Sequence, residues 1–182
     1  AYHEAGHAIL FHVLPHMDPV YTISIIPTGM GAAGYTMPLP DNDEMFNTKN
    51  KMLEDITTLL GGRVAEEIIF GDITTGASND IKRATETARS MVMKYGMSEK
   101  IGLIAYGNDD DEVFIGRDLA HTRGYSEEVA REIDGEISRI IRECHENAES
   151  IIRENIGVLH SCAALLLEKE KIHREEFEAL FT

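Results

Sequence analysis

The chain has 182 residues, 43% of them hydrophobic, and a formal net charge of −15 at pH 7. This composition can bury one core, so we expect a single folded domain and exclude a disordered chain. An acidic chain lacks the basic face that neutralises phosphates, which argues against a nucleic-acid partner. Two cysteines form no disulfide framework, as is typical of a reducing compartment.

The first predicted element is a helix over residues 1–14, which Pro15 ends. It carries an H-E-x-x-H pattern formed by His3, Glu4 and His7. Residues four apart share a helix face, so the two histidines can present imidazole nitrogens to one metal ion. Glu4 lies beside that face, where it can act as general base on a metal-bound water. The pattern therefore makes a hydrolytic metalloenzyme the leading hypothesis.

The β-branched run that follows predicts a β-hairpin, with strands over residues 21–27 and 34–37 joined through a glycine-containing turn. The glycine-rich segment 31–38 is a candidate edge strand to which an extended substrate backbone can add. In the alternative interpretation, the hairpin only shields the core. The residues proposed for the substrate edge are Gly34, Tyr35 and Thr36.

Helices are predicted over residues 44–60 and 62–69, meeting at Gly61-Gly62, where missing side chains allow close packing. Another helix is predicted over residues 79–95. A hydrolytic zinc site needs a third protein ligand and one open position. The spacing of the sequence does not choose among the candidates, which are Glu66, Glu67 and Asp80.

Residues 97–124 are predicted to form a long loop with short strands. The acidic run at 109–112 lacks the ligand spacing of a calcium loop and is interpreted as a solvated, mobile tip. Arg117 and Asp118 are assigned to structural or subunit contacts. His12, further along the first helix, and His16, just after its end, are interpreted as surface or packing residues.

A long amphipathic helix is predicted from Ser126, which suits the capping position. Gly135 lies inside this helix at a cost of about 1 kcal/mol relative to alanine. We expect Gly157 to break it, with further helices over residues 158–169 and 173–181 and a turn at 172–174. Cys144 and Cys162 fall in apolar helical patterns and are interpreted as small packing residues.

Taken together, these segments resemble the peptidase module of the FtsH-type, membrane-anchored, ATP-dependent zinc proteases, peptidase family M41. Several ordered motifs carry the resemblance, and they cover nearly the whole chain. The matching segments are AYHEAGHA at 1–8, residues 22–27 and 34–36, LGGRVAEE at 60–67, TGASND at 75–80, YGMS at 95–98, FIGR at 114–117, and residues 125–126, 166–170 and 175–177.

The resemblance implies a mainly α, zincin-like metalloprotease domain with a small β-hairpin and a C-terminal helical bundle over residues 125–182. It implies one Zn²⁺ per subunit, held by His3, His7 and Asp80, with Glu4 as catalytic base. Glu66 then becomes a supporting residue that orients an imidazole, or else a purely structural carboxylate. Capping of the following helix by Ser78 or Asn79 would hold Asp80 in a fixed orientation.

The implied activity is hydrolysis of peptide bonds in unfolded, misassembled or regulatory proteins, including membrane proteins. Zinc lowers the pKa of its bound water, Glu4 takes the proton, and the hydroxide attacks the scissile carbonyl without a covalent acyl-enzyme. The alternative function is a zinc-binding structural or assembly module without proteolytic activity. The presence of Glu4 favours the enzyme.

Because the motif begins at the third residue, we expect the chain to be part of a longer protein. The resemblance implies a preceding membrane segment, a AAA ATPase module and a homo-hexameric ring, with this domain in the bacterial cytoplasm or inside an organelle. The sequence contains no G-x-x-x-x-G-K-[ST] phosphate loop, so any ATP requirement belongs to the ATPase module. No apolar run approaches the roughly 20 residues that span a bilayer and no signal peptide is evident, so we expect these residues alone to be soluble.

Overall fold

The computed structural model describes residues 1–29, 32–40, 45–106 and 124–182. Helices dominate these residues and accompany one small sheet, which confirms the predicted mainly α class. In chain order the elements are α1 (Tyr2–Val13), β1 (Val20–Ser24), β2 (Tyr35–Pro38), α2 (Lys49–Phe70), a 3₁₀ helix (Thr75–Ala77), α3 (Ser78–Met93), α4 (Glu127–Glu154), α5 (Ile156–Lys169), β3 (Lys171–His173), α6 (Arg174–Glu178) and a final 3₁₀ helix (Ala179–Phe181).

The sheet is antiparallel, with strand order β2-β1-β3. The hairpin of β1 and β2 confirms the prediction, whereas the predicted turn at 172–174 is wrong, because Ile172 and His173 belong to β3. Ile172 lies opposite Ile23, and both side chains are fully buried. Burial of this cross-strand pair favours a third strand over a turn, although about 150 residues separate Ile172 from Ile23 along the chain.

The helix predicted in two parts is the single helix α2, which runs without interruption through Gly61 and Gly62. Each glycine costs a helix interior about 1 kcal/mol relative to alanine. The predicted close packing at this point is present, because the backbones of α1 and α2 touch where Gly6 faces Gly61. A Cβ atom on Gly6 would collide with the Gly61 carbonyl oxygen. This contact offsets the low helix propensity and keeps α2 continuous.

Two clusters of buried side chains form the core. The first lies between α1, the sheet, α5 and the C-terminal segment, and includes Ile9, Leu159 and Phe177. The second joins α2, α3 and α4, and includes Ile56 and Met91. The first cluster therefore includes α1 and the second includes α2, and the backbones of these two helices touch at Gly6 and Gly61.

Cys162 packs in the first cluster and Cys144 in the second, in agreement with their interpretation as packing residues. Burial raises the pKa of both thiols, that of Cys162 to about 12. Thiols with such raised pKa values are poor nucleophiles at neutral pH.

The C-terminal helices differ from the prediction at their boundaries. The break between α4 and α5 falls at Asn155 and not at Gly157, which lies in the first turn of α5. The Asn155 side-chain amide donates to the Ile151 carbonyl oxygen at 2.8 Å, and the Asn155 backbone N–H donates to the same oxygen at 3.1 Å, so Asn155 closes the last turn of α4. Ser126 caps α4 as expected, since its hydroxyl accepts the Val129 N–H.

Residues 97–106 contain no strand, and the acidic run at 109–112, Arg117 and Asp118 lie outside the described residues. In the part of the chain that the structure describes, no single helix has the length and apolar character to cross a membrane. Considered together, α4 and α5 pass that test, but they meet at a bend of 79°.

We predict opposite effects for two glycine-to-alanine changes. Gly6→Ala should destabilise the protein by about 1–3 kcal/mol, because the new Cβ overpacks the contact between α1 and α2. Gly135→Ala should stabilise it by about 0.5–1 kcal/mol, because Gly135 is an exposed helix residue with open space around its Cβ position. Denaturant unfolding of the metal-free protein measures both effects. Equal shifts for the two variants would contradict the proposed close contact.

Candidate metal centre

Three potential ligand atoms converge between α1 and α3. The Nε2 atoms of His3 and His7 are 3.1 Å apart, and Oδ2 of Asp80 lies 3.4 Å from each of them. In the described residues, these three side chains are the group that could hold a metal ion. Tetrahedral ligands at about 2.0–2.1 Å from a zinc ion are about 3.3 Å from one another. The separations therefore fit three of the four corners of a zinc site.

The hydrogen bonds on the far side of each imidazole direct its Nε2 toward this point. Nδ1 of His7 lies 2.8 Å from the carbonyl oxygen of Thr58, and Nδ1 of His3 lies 2.9 Å from Oε1 of Glu66. Both oxygens are acceptors, so each Nδ1 carries a proton and each Nε2 points at the shared site, where a deprotonated Nε2 offers its lone pair to a metal ion. The carboxylate and the two Nε2 atoms lie so close together that the site needs a positive charge, which a proton supplies in the metal-free protein and a metal ion supplies when it is bound. The donor set thus fits Zn²⁺.

α2 supplies the surroundings of both histidines. Thr58 and Glu66 provide the two acceptors, and Gly62 provides space beside the ring of His3. A Cβ atom on Gly62 would lie 2.5 Å from Nε2 of His3, which is closer than non-bonded atoms approach. Any side chain at Gly62 would therefore displace the His3 imidazole.

The three candidates for the third ligand occupy different positions around the histidines. Asp80, in the first turn of α3, is the carboxylate that reaches both Nε2 atoms. Glu66 is buried behind His3, on the Nδ1 side of its ring. Glu67 turns away to His145 on α4, with 2.9 Å between Oε2 and Nε2, and accepts from Arg63. Spacing could not make this distinction because it depends on the packing of α2 against α1, α3 and α4.

The expected capping of α3 by Ser78 or Asn79 is wrong. The structure has Ala77 at the N-cap position, with no side-chain capping bond, and Ser78 already belongs to the helix. A short 3₁₀ turn leads into α3, and the capping side chain of this turn is Thr74, whose hydroxyl accepts the Gly76 N–H at 3.2 Å. Thr74 was not among the residues predicted from the sequence, although a threonine hydroxyl that bonds to the backbone two residues further on is a typical turn feature.

Without metal, the protonation states of His3 and Asp80 depend on each other. Burial opposes protonation of His3, but hydrogen bonds to Asp80 and Glu66 outweigh it and raise the pKa of His3. Burial likewise opposes ionisation of Asp80, yet hydrogen bonds from His3 and His7 hold the pKa of that carboxyl well below its usual range. The metal-free site thus favours a proton on His3, which a metal ion must displace.

Glu4 lies between α1 and the sheet. The Thr36 hydroxyl on β2 donates to Oε2 of Glu4 at 2.9 Å and lies 3.1 Å from the Glu4 carbonyl oxygen. Gly34 also lies against the Glu4 side chain, since a Cβ atom there would be 3.1 Å from Oε1. Two of the three residues proposed for the substrate edge therefore contact Glu4, and the third, Tyr35, pairs with Ser24 of β1.

The remaining histidines of α1 and its C-terminal turn lie apart from the cluster. His12 stacks on Phe181, with ring centroids 4.0 Å apart, and so packs against the C-terminal segment. His16 bonds to Glu54 at 2.7 Å near the protein surface. Both positions agree with the assignment of these residues to packing or the surface.

Two histidines one helical turn apart, an aspartate from another helix and an adjacent glutamate are typical of the H-E-x-x-H class of metalloproteases. The sequence profile of peptidase family M41 matches residues 1–180, and the chain belongs to this family.

Relatives are similar along the whole chain. It is 55% identical to the ATP-dependent zinc metalloprotease FtsH 1 of Thermoanaerobacter sp. (strain X514) over 181 residues, which are 100% of this chain and 30% of the relative. It is 56% identical to an ATP-dependent zinc metalloprotease FtsH of Caldicellulosiruptor bescii, over 99% of this chain and 29% of the relative. It is 49% identical to an ATP-dependent zinc metalloprotease FtsH of Thermotoga maritima, over 100% of this chain and 30% of the relative. The chain thus spans about three-tenths of the length of these relatives.

Proposed function

We propose that this chain is the peptidase module of a zinc-dependent endopeptidase. The observation that carries the proposal is the convergence of His3, His7 and Asp80 at separations of 3.1–3.4 Å, with Glu4 one residue from the first histidine. Membership of a peptidase family and relatives named zinc metalloproteases support the same function. Residues 1–182 form one module, with 125–182 as its helical subregion.

The reaction needs a metal and a base. A zinc ion with three protein ligands supplies a Lewis acid that polarises a carbonyl group and makes water more acidic. Glu4 accepts a proton from the attacking water on its carboxylate and later donates it to the leaving amine nitrogen. Thr36 orients the carboxylate through Oε2. No covalent intermediate with the chain is required, and the two buried cysteines have no part in the reaction.

The substrate backbone adds to the outer edge of β2. β2 pairs with β1 on one side only, so in the described part of the chain its other edge carries unpaired backbone groups. Thr36 connects this strand directly to Glu4, so a peptide paired with β2 would run past the base. Met37 and Leu39, which are about half exposed, provide apolar contacts beside the same edge.

In the whole protein, we infer that an ATP-driven unfoldase ring feeds unfolded, misassembled or regulatory proteins to this module. The relatives' names include ATP dependence, which supports a nucleotide-hydrolysing partner module. A homo-hexameric ring and a membrane anchor outside this chain follow from the same resemblance. ATP hydrolysis then serves substrate delivery and not the chemistry at His3, His7 and Asp80.

The first prediction for this function concerns the base. Glu4→Gln should retain zinc near one ion per chain but lower the rate of proteolysis of an unfolded protein by about 10²–10⁴-fold, because the amide cannot accept the proton. Asp80→Asn should lose zinc as well as activity, and a chelator should abolish activity of the unmodified protein. Metal analysis and a cleavage assay measure these results. Undiminished cleavage by Glu4→Gln would overturn the assignment of the base. Zinc binding without cleavage by any form, in the full-length protein as well as in this chain, would favour the assembly-module alternative.

A second prediction concerns the substrate strand. N-methylation of one backbone amide of a peptide substrate should raise KM by about tenfold when that amide faces β2, since it removes one hydrogen bond and adds a clash. Methylation of the adjacent amide should change KM little, because successive amides of an extended chain point in opposite directions. Steady-state kinetics with the two isomeric peptides provide the matched comparison. Equal KM values would indicate that the hairpin only covers the core.

A further inference from the structure

Thr74 lies in the segment between α2 and α3 and contacts Glu66 three times. Its hydroxyl oxygen lies 3.0 Å from Oε2 and 3.3 Å from Oε1 of Glu66, and its backbone N–H donates to Oε2 at 3.1 Å. Glu66 is the carboxylate that holds Nδ1 of His3. Thr74 therefore fixes the orientation of the group that orients His3.

The same hydroxyl also determines the start of the turn that carries Asp80. It accepts the Gly76 N–H at 3.2 Å, which caps the 3₁₀ helix Thr75–Ala77. α3 follows directly, and Asp80 lies in its first turn. A hydroxyl has one proton to donate and lone pairs to accept, so Thr74 can serve Glu66 and Gly76 at the same time.

We propose that Thr74 is a positioning residue that couples the histidine side of the metal centre to its aspartate side. One hydroxyl group joins the Glu66–His3 bond to the turn that orients Asp80. The backbone of Thr74 adds to this link, because its N–H donates to Oε2 of Glu66 at 3.1 Å. The inference rests on the proposed zinc site.

The coupling should affect metal affinity more than folding. Removal of a partner that orients a metal ligand typically reduces metal affinity about 10- to 100-fold. Thr74 acts one hydrogen bond further from the metal, and its backbone N–H bond to Glu66 remains when the side chain changes. We therefore expect Thr74→Val to weaken zinc binding about three- to tenfold.

The test is the zinc dissociation constant of the purified protein, measured by competition with a chromophoric chelator, which requires no proteolytic activity. Thr74→Val and Thr74→Ala remove the hydroxyl, and Thr74→Ser retains it. Thr75→Val is the matched control, because Thr75 lies on the same turn but is not among the hydrogen-bond partners of Glu66 in the described residues. Thermal unfolding in chelator measures the stability of each metal-free variant.

We expect Thr74→Val and Thr74→Ala to weaken zinc binding by similar factors, and Thr74→Ser and Thr75→Val to bind zinc as the unmodified protein does. In a Glu66→Gln background, the effect of Thr74→Val should become smaller, because the part that acts through the Glu66 carboxylate is lost and only the cap on the Gly76 N–H remains. Comparable metal-free unfolding temperatures for Thr74→Val and Thr75→Val would support positioning over a general structural role.

Three results would overturn the role of Thr74 alone: equal zinc affinity of Thr74→Val and Thr75→Val, a loss in Thr74→Ser as large as in Thr74→Val, or an undiminished effect in the Glu66→Gln background. A different result would overturn the metal centre itself. If the unmodified protein does not bind zinc, or if His3→Ala binds it equally well, the proposed function fails together with this inference.

Discussion

The contact between the backbones of α1 and α2 is the constraint on which the metal centre depends. Gly6 lies between the two histidines of α1, and it faces Gly61 so closely that neither position has room for a side chain. This approach brings the Thr58 carbonyl and the Glu66 carboxylate of α2 within hydrogen-bond distance of the two rings. A wider separation of the helices would leave both imidazoles free to rotate, and the alignment of their Nε2 atoms would be lost.

The surroundings of the ligands are organised in successive layers of hydrogen bonds. His7 is held by a main-chain carbonyl, which cannot change its charge, whereas His3 is held by Glu66, which is itself fixed by Thr74. Burial opposes ionisation of Glu66, but the bonds from His3 and Thr74 lower its pKa, so it stays a carboxylate. A charged acceptor strengthens the imidazole as a ligand, and a fixed acceptor determines where it points.

The sequence was sufficient to predict features that depend only on residues close together along the chain. The helix that carries His3 and His7 and the capping of α4 by Ser126 were predicted correctly, because each depends on neighbours within about four residues. Features that depend on distant packing were missed. Gly61-Gly62 predicted a break between two helices, but the packing of α1 against these glycines stabilises one continuous helix. The strand β3 has only three residues, and the burial of Ile172 against β1 stabilises it. The choice among Glu66, Glu67 and Asp80 came from the resemblance, and the structure then brought Asp80 to the histidines.

X-ray absorption at the zinc edge of the purified protein tests the central claim most directly, since it reports the atoms bound to the metal. The structure predicts two imidazole nitrogens and one carboxylate oxygen at about 2.0–2.1 Å, with the remaining position taken by a light atom from outside the chain. Asp80→Ala should lose the bound zinc and with it the zinc-site spectrum, and Glu67→Ala should leave the spectrum unchanged. A sulfur ligand at about 2.3 Å, or a spectrum of Asp80→Ala that matches that of the unmodified protein, would contradict the proposed centre.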